Sequence, residues 1–239
     1  MKKVIIVGAT SGIGRELARV FVAKGYQVGV AGRRSELLAE IKEENPKQYF
    51  TKQIDVSDTE ALPLLLNSLA RDLGGMDILI NCAGVGKKNE ELDFAIDKMI
   101  VETNVVGFTA VIDWAYNYLI NKRGGQIVNI SSVSGIRGHR FGSFSYSASK
   151  SYQMRYLEGL RHKLVKAKIP IYVTDIRPGF VDTDMIPKNR YFWVISADKA
   201  ARLIFRSITR KRNVAYITKR WIIIVAIIKI FPGAILNRI

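Results

Sequence analysis

The chain has 239 residues, 48% of them hydrophobic and 24% charged, which suits one domain of the larger kind with a substantial core. Its single cysteine, Cys82, excludes an intrachain disulfide and a paired-cysteine metal site, so a reducing cytoplasmic setting is expected. The net charge of +16 calls for anionic partners, and the bias sits in the tail: from Lys188 to Ile239 there are 12 basic residues against the single Asp198.

The opening MKKVIIVGAT puts two lysines before four apolar residues, too short for a secretory signal core, and predicts a buried first strand, KVIIV. Helix-period and strand-length segments then alternate. A helix is predicted from Ile13 to Lys24, stopped by Gly25, then the strand YQVGVA, a helix from Ser35 to Glu44, the strand QYFTKQI, a helix from Thr59 to Leu73 and the strand MDILIN. A long helix from Phe94 to Asn121, the strand QIVNIS, a second long helix from Ser145 to Ala167, the strand IPIYVTDI, a helix from Ala197 to Thr209 and the strand NVAYI complete the series. This alternation predicts the α/β class, a doubly wound parallel sheet of seven strands with helices on both faces. One domain is expected over residues 1–218, with a substrate loop near 182–196. Residues 219–239 form an extra tail.

In the tail, RWIIIVAIIKIF is about eleven apolar residues broken by Lys229, well short of the roughly 20 that span a bilayer. As a helix it sets Trp221, Val225 and Ile228 on an apolar surface flanked by Lys219, Arg220 and Lys229. Two readings stand: peripheral contact with an anionic membrane, on its cytoplasmic face, or packing onto the protein's own core or a second subunit. The surrounding charge favours the membrane.

GATSGIG, residues 8–14, joins the first strand to the first helix. Glycines there let the backbone turn sharply and let a pyrophosphate reach the helix N-terminus, so Gly8, Thr10, Ser11, Gly12, Ile13 and Gly14 are candidate dinucleotide contacts in a Rossmann-like fold. At the end of the second strand, where an NAD site places an acid, the sequence reads AGRRS. Arg33 and Arg34 suit a 2′-phosphate and favour NADP(H).

With these motifs and those that follow in order, the chain resembles the short-chain dehydrogenases/reductases through the seventh strand. Val7 stands where that family often has Thr. DVSD resembles the element that sets Asp55 and Val56 against adenine. NCAG resembles the family's NNAG and implies cofactor contacts at Asn81, Ala83 and Gly84, with Cys82 replacing the second Asn. NVVG supplies Asn104, NISSVSG supplies Ser132, and YSASK supplies Tyr146 and Lys150. RPGFVDT supplies Pro178, Gly179 and Thr183 near the nicotinamide. Ser132 and Tyr146 are 14 positions apart, one more than the commoner spacing.

Tyr146 and Lys150, four apart, share one helix face, and a neighbouring ammonium is expected to lower the phenol from its usual pKa of about 10. The resemblance implies hydride transfer between nicotinamide and a carbonyl carbon, with Tyr146 as general acid/base and Ser132 holding the oxygen. It further implies that Lys150 binds the ribose and that Asn104 positions a water linking Lys150 to solvent. Strand alternation and the family position favour Ser132 over Ser131. His139 reads as a solvated loop residue and His162 as a helix-face residue, and no metal site is expected.

The expected substrate is a small apolar or lipid-like carbonyl or alcohol, covered by Met185, Ile186, Tyr191, Phe192, Trp193 and Val194. A homodimer or homotetramer built on the two long helices is expected. A non-catalytic dinucleotide sensor is the alternative, but it should lack the Tyr or the Lys. No nucleic-acid motif accompanies the charge.

Overall fold

The computed structural model describes residues 1–138, 144–185 and 193–230. Strands β1 (Lys3–Val7), β2 (Gln27–Gly32), β3 (Tyr49–Gln53), β4 (Ile78–Asn81), β5 (Gly125–Ile130) and β6 (Ile171–Pro178) alternate with helices α1 (Gly12–Ala23), α2 (Ser35–Glu44), α3 (Leu62–Asp72), α4 (Phe94–Val101), α5 (Phe108–Asn121) and α6 (Phe144–Lys166). Two short strands, β7 (Val181–Asp182) and β8 (Ile195–Ser196), precede α7 (Ala197–Thr209), β9 (Val214–Ile217) and α8 (Arg220–Ile230). Among the described residues, seven parallel strands form the main sheet in the order β3-β2-β1-β4-β5-β6-β9, and β7 pairs with β8 beside it.

Alternation along the strands divides the core. Val4 and Ile6 face α1 and α7, meeting Leu17, Phe21, Ile204 and Ile208. Ile5 and Val7 face the other way, onto Leu66, Leu69, Phe108 and Leu157 of α3, α5 and α6. Each such fully buried side chain contributes about 1.5–3 kcal/mol, so a one-residue register slip, which would exchange the two faces, is strongly disfavoured.

The strand order reverses between β1 and β4, where the following loops diverge and leave a crevice at the carboxyl ends of the strands. Gly8, at φ +78°, lies so close to the neighbouring loop that a Cβ would fall 2.5 Å from the Ala83 amide nitrogen. The two loops that wall the crevice are therefore packed backbone against backbone.

Three elements depart from expectation. The third helix starts at Leu62 rather than Thr59, because the Asp58 side chain accepts from Ala61 N and holds residues 58–61 as a turn before Pro63 enters the first helical turn. The long helix from Phe94 to Asn121 is interrupted by a π-helical segment, Glu102–Gly107. There Asn104 is tied to the backbone of Val85 and Gly107 approaches Val56, where a Cβ would lie 2.6 Å from the Val56 carbonyl oxygen.

The third departure is in α8. Trp221 and Val225 are turned onto the protein, not away from it. The indole lies against Gly179, where any Cβ would come within 1.9 Å of it, and meets Phe180 and Trp193 at ring-centroid distances of 5.5 and 6.0 Å. The apolar surface left outside is Ile222, Ile223 and Ile227, at 47%, 65% and 48% exposure. The side chains of Ile228 and Lys229 lie outside the described residues, as do His139, Ile186, Tyr191 and Phe192. No helix among the described residues is long and apolar enough to cross a membrane.

Candidate active site

The candidate residues collect at the carboxyl edge of the sheet. Ser131 and Ser132 leave β5 in opposite directions. Ser131 donates to the buried Asp175 carboxylate at 2.5 Å and to Ile176 O at 3.0 Å, and belongs to the interior. Ser132 accepts from Ser134 N at 3.1 Å, capping a short 3₁₀ turn over Val133–Ile136, and its hydroxyl acts on the Tyr146 phenol to lower its pKa. Tyr146 lies in the first turn of α6, beside Gly86, where a Cβ would sit 3.1 Å from the phenol ring and 3.5 Å from Met185 Sδ.

Lys150, one turn further along α6, is 4% exposed. Its Nζ is 5.7 Å from the centre of the Tyr146 ring and donates to Ile130 O at 3.0 Å and to Gln153 Oε1 at 3.2 Å. Burial lowers its pKa to about 8, against the opposing influence of Asp175 and Cys82. Tyr146 departs from expectation: burial raises its pKa, and the Ser132 hydrogen bond opposes the rise. Desolvation of the phenolate outweighs its neighbours in the folded chain, so the phenol is held protonated. Burial also raises the Cys82 thiol to about 12, with Lys150 opposing, so it is not a ready nucleophile.

Asn104 is fully buried. Its side chain accepts from Val85 N at 2.8 Å and donates to Val85 O at 2.8 Å and Ser149 Oγ at 3.1 Å, while its main-chain carbonyl accepts from Gln153 Nε2 at 2.8 Å. A Cβ on Gly84 would lie 3.3 Å from Asn104 Oδ1 and 3.4 Å from Lys150 Nζ, so this loop runs directly over both.

Across the crevice, α1 begins at Gly12 with Ser11 as its N-cap, yet no side chain caps it and no acid lies in its first turn. Arg34 binds Thr10 Oγ1 at 2.7 Å and Ser11 Oγ at 2.6 Å, and Arg33 stands 3.9 Å from Asp55 with its guanidinium largely exposed. Asp55 accepts from Ser57 N and Oγ; burial pushes its pKa up, but these bonds and Arg33 outweigh it and the carboxylate titrates below its usual range. Val56 is buried beneath it. Thr183 faces Gly12, where a Cβ would lie 3.1 Å from its methyl. Open helix N–H groups, two guanidiniums and a glycine-lined approach to Tyr146 fit a phosphorylated dinucleotide.

The sequence model of short chain dehydrogenases matches residues 2–191. The chain belongs to the short-chain dehydrogenase family. An uncharacterized oxidoreductase of Mycobacterium tuberculosis is 34% identical over 196 residues, which cover 79% of this chain and 76% of that relative. Among solved structures, the closed form of a serine dehydrogenase complexed with NADP+ aligns at TM-score 0.81 and 25% identity, covering 90% of this chain and 93% of the other. A family member from Burkholderia phymatum in complex with NAD shares the fold at TM-score 0.85 and 21% identity, with 94% and 92% covered.

For a short-chain dehydrogenase, the crevice brings most of the sequence candidates together: Gly8 to Gly14, Arg33 and Arg34 line one end, Gly84, Asn104, Ser132, Tyr146 and Lys150 the other, and Thr183 faces Gly12. Asn81 is buried and donates to Asn129 Oδ1 at 2.9 Å, leaving its own Oδ1 unpartnered. Ala83 packs against Gly8, and Pro178 is buried where β6 ends. Gly179 is covered on its Cα side by Trp221. Sequence reasoning missed Val85, Gly86, Ser149, Asn129 and Gln153. Gly86 was visible as the second glycine of AGVG, and Gln153 as a polar residue one turn past Lys150. His162 is exposed on α6, and no metal-holding group of His, Cys, Asp or Glu occurs among the described residues.

Proposed function

We propose that this short-chain dehydrogenase is an NADP(H)-dependent oxidoreductase that interconverts an alcohol and a ketone or aldehyde, with Tyr146 as its general acid and base. The observation that carries this reading is the convergence of Ser132 and Lys150 on one phenol beside the glycine-lined loop. When bound, the nicotinamide supplies or accepts the hydride. In reduction, Tyr146 gives its phenolic proton to the carbonyl oxygen, and in oxidation it takes the proton back. Ser132 donates a hydrogen bond to the same oxygen and stabilises the negative charge developing there. Lys150 stabilises the phenolate and holds the ribose. A phenol kept protonated by burial suits the reductive direction.

The uncapped N-terminus of α1 would take the pyrophosphate, with Arg33 and Arg34 on the 2′-phosphate and Asp55 and Val56 at the adenine. The missing acid after β2 supports NADP(H) over NAD, and a structural relative holds NADP+. Asn81, Ala83 and Gly84 would line the cofactor, with Pro178, Gly179 and Thr183 near the nicotinamide. Met185, Trp193 and Val194, partly exposed around the entrance, support an apolar substrate. A dinucleotide sensor without catalysis is disfavoured, since Tyr146 and Lys150 are both present and adjacent.

The exposed Ile222, Ile223 and Ile227 beside exposed Lys219 and Arg220 support peripheral docking of α8 on an anionic lipid surface. Through Trp221 and Gly179 that surface reaches the mouth of the crevice.

Replacing Tyr146 tests the central claim. Tyr146→Phe should lower kcat for carbonyl reduction by roughly 10²–10⁴-fold while NADPH affinity, read by fluorescence titration, stays within about twofold. Turnover near the wild-type rate would remove Tyr146 from the role.

A further inference from the structure

Gln153 lies on α6 one helical turn past Lys150, is fully buried, and is spent entirely on active-site neighbours. Its Nε2 donates to the Asn104 carbonyl at 2.8 Å, and its Oε1 accepts from Lys150 Nζ at 3.2 Å and from Asn129 Nδ2 at 3.1 Å. Asn129 accepts in turn from Asn81 at 2.9 Å. These partners allow one orientation of the carboxamide, since the carbonyl of Asn104 requires the NH₂ end and the ammonium requires the oxygen.

We infer that Gln153 is a positioning residue that fixes the Lys150 ammonium and ties it to the main chain of the π-helical turn at Asn104. The inference rests on the Tyr146–Lys150 reading above, and goes beyond it by naming what holds the lysine. The carboxamide spans the interval from Asn104 to Lys150 that the family resemblance assigns to water. A carboxamide keeps both ends in place but, unlike water, does not readily pass a proton along.

Donor counting gives the consequence. An ammonium has three N–H groups; Ile130 O takes one and Gln153 Oε1 takes another. One remains to point out of the buried network toward a bound ribose. Gln153 thereby sets the direction of that last donor and supplies an acceptor that favours the charged lysine. The titratable groups facing Lys150 are Tyr146 on its own helix, Cys82 after β4 and Asp175 on β6, the last paired with Arg177.

The test is a ¹⁵N NMR titration of Lys150 Nζ in cofactor-free protein, with the resonance assigned by Lys150→Arg. Gln153→Met, similar in volume but without the acceptor, should lower the Lys150 midpoint by about one unit, and Gln153→Glu should raise it by about one unit or more. The pH profile of alcohol oxidation should move in the same two directions. In the unmutated protein, the Gln153 side-chain amide signal should titrate with the Lys150 midpoint, a reading that needs no variant to fold. A Lys150 midpoint unmoved in both variants, or a Gln153 amide that ignores the Lys150 titration, overturns the inference. Neither NMR measurement uses turnover, so their failure is distinct from a failure of Tyr146→Phe.

Discussion

The Ser132 hydroxyl acts on the Tyr146 phenol, opposing the rise in pKa that burial imposes, although one residue caps a 3₁₀ turn after β5 and the other opens α6. A carbonyl oxygen entering between them would meet both donors at once. Its neighbour Ser131 points the opposite way, into a buried pair with Asp175.

The two serines should therefore fail differently when replaced. Ser132→Ala should cut kcat on the order of 10²-fold while costing about 1 kcal/mol or less through the lost cap. Ser131→Ala should instead cost about 1–3 kcal/mol of stability, because buried Asp175 loses a donor. Calorimetry and steady-state kinetics on both variants decide it, and the opposite pattern would reassign the catalytic serine.

Arg33 and Arg34 should act on one cofactor more than the other. Replacing both by Ala should weaken NADPH binding roughly 10- to 100-fold, since hydrogen bonds to charged groups contribute about 1.5–3 kcal/mol, and leave NADH within a fewfold. Isothermal titration with the two cofactors measures the difference. An equal loss for both would refute the 2′-phosphate assignment.

Lys150 makes a prediction about stability and pH. Its folded pKa of about 8 lies below its ordinary 10.5, so between these values the unfolded chain binds the additional proton and this residue's contribution rises with pH. Compared with Lys150→Met, the wild type should gain melting temperature as pH goes from 8 to 10.5. A gap between the two that stays level across that window would mean the lysine is not depressed in the folded state.

Helix α8 should bind vesicles through its outer face. Ile223→Glu with Ile227→Glu changes two exposed side chains and should leave folding intact. Partition onto vesicles containing phosphatidylglycerol should fall by about tenfold or more, and wild-type binding should weaken as salt rises. Unchanged sedimentation with vesicles would leave the basic tail without its lipid partner.

Much of this was legible in the chain itself. Residues such as Val4 to Val7 alternate between two cores, the glycine turn follows a strand, and Tyr146 and Lys150 are four apart in one helix; each is a local pattern with a local physical cause. The seven-stranded doubly wound sheet follows from the same series, whereas the order of its strands, and with it the reversal between β1 and β4, came from the fold. What only the tertiary structure decided came from contacts between segments distant in sequence. The π-helical turn at Asn104 exists beside Val85, Trp221 turns inward because Gly179 leaves room for an indole, and burial outweighs the Ser132 hydroxyl in setting the Tyr146 proton. Gln153 looks like any polar helix residue until folding brings Asn104, Asn129 and Lys150 around it. Such effects depend on desolvation and on distances across the fold, and neither is written in the order of residues along the chain.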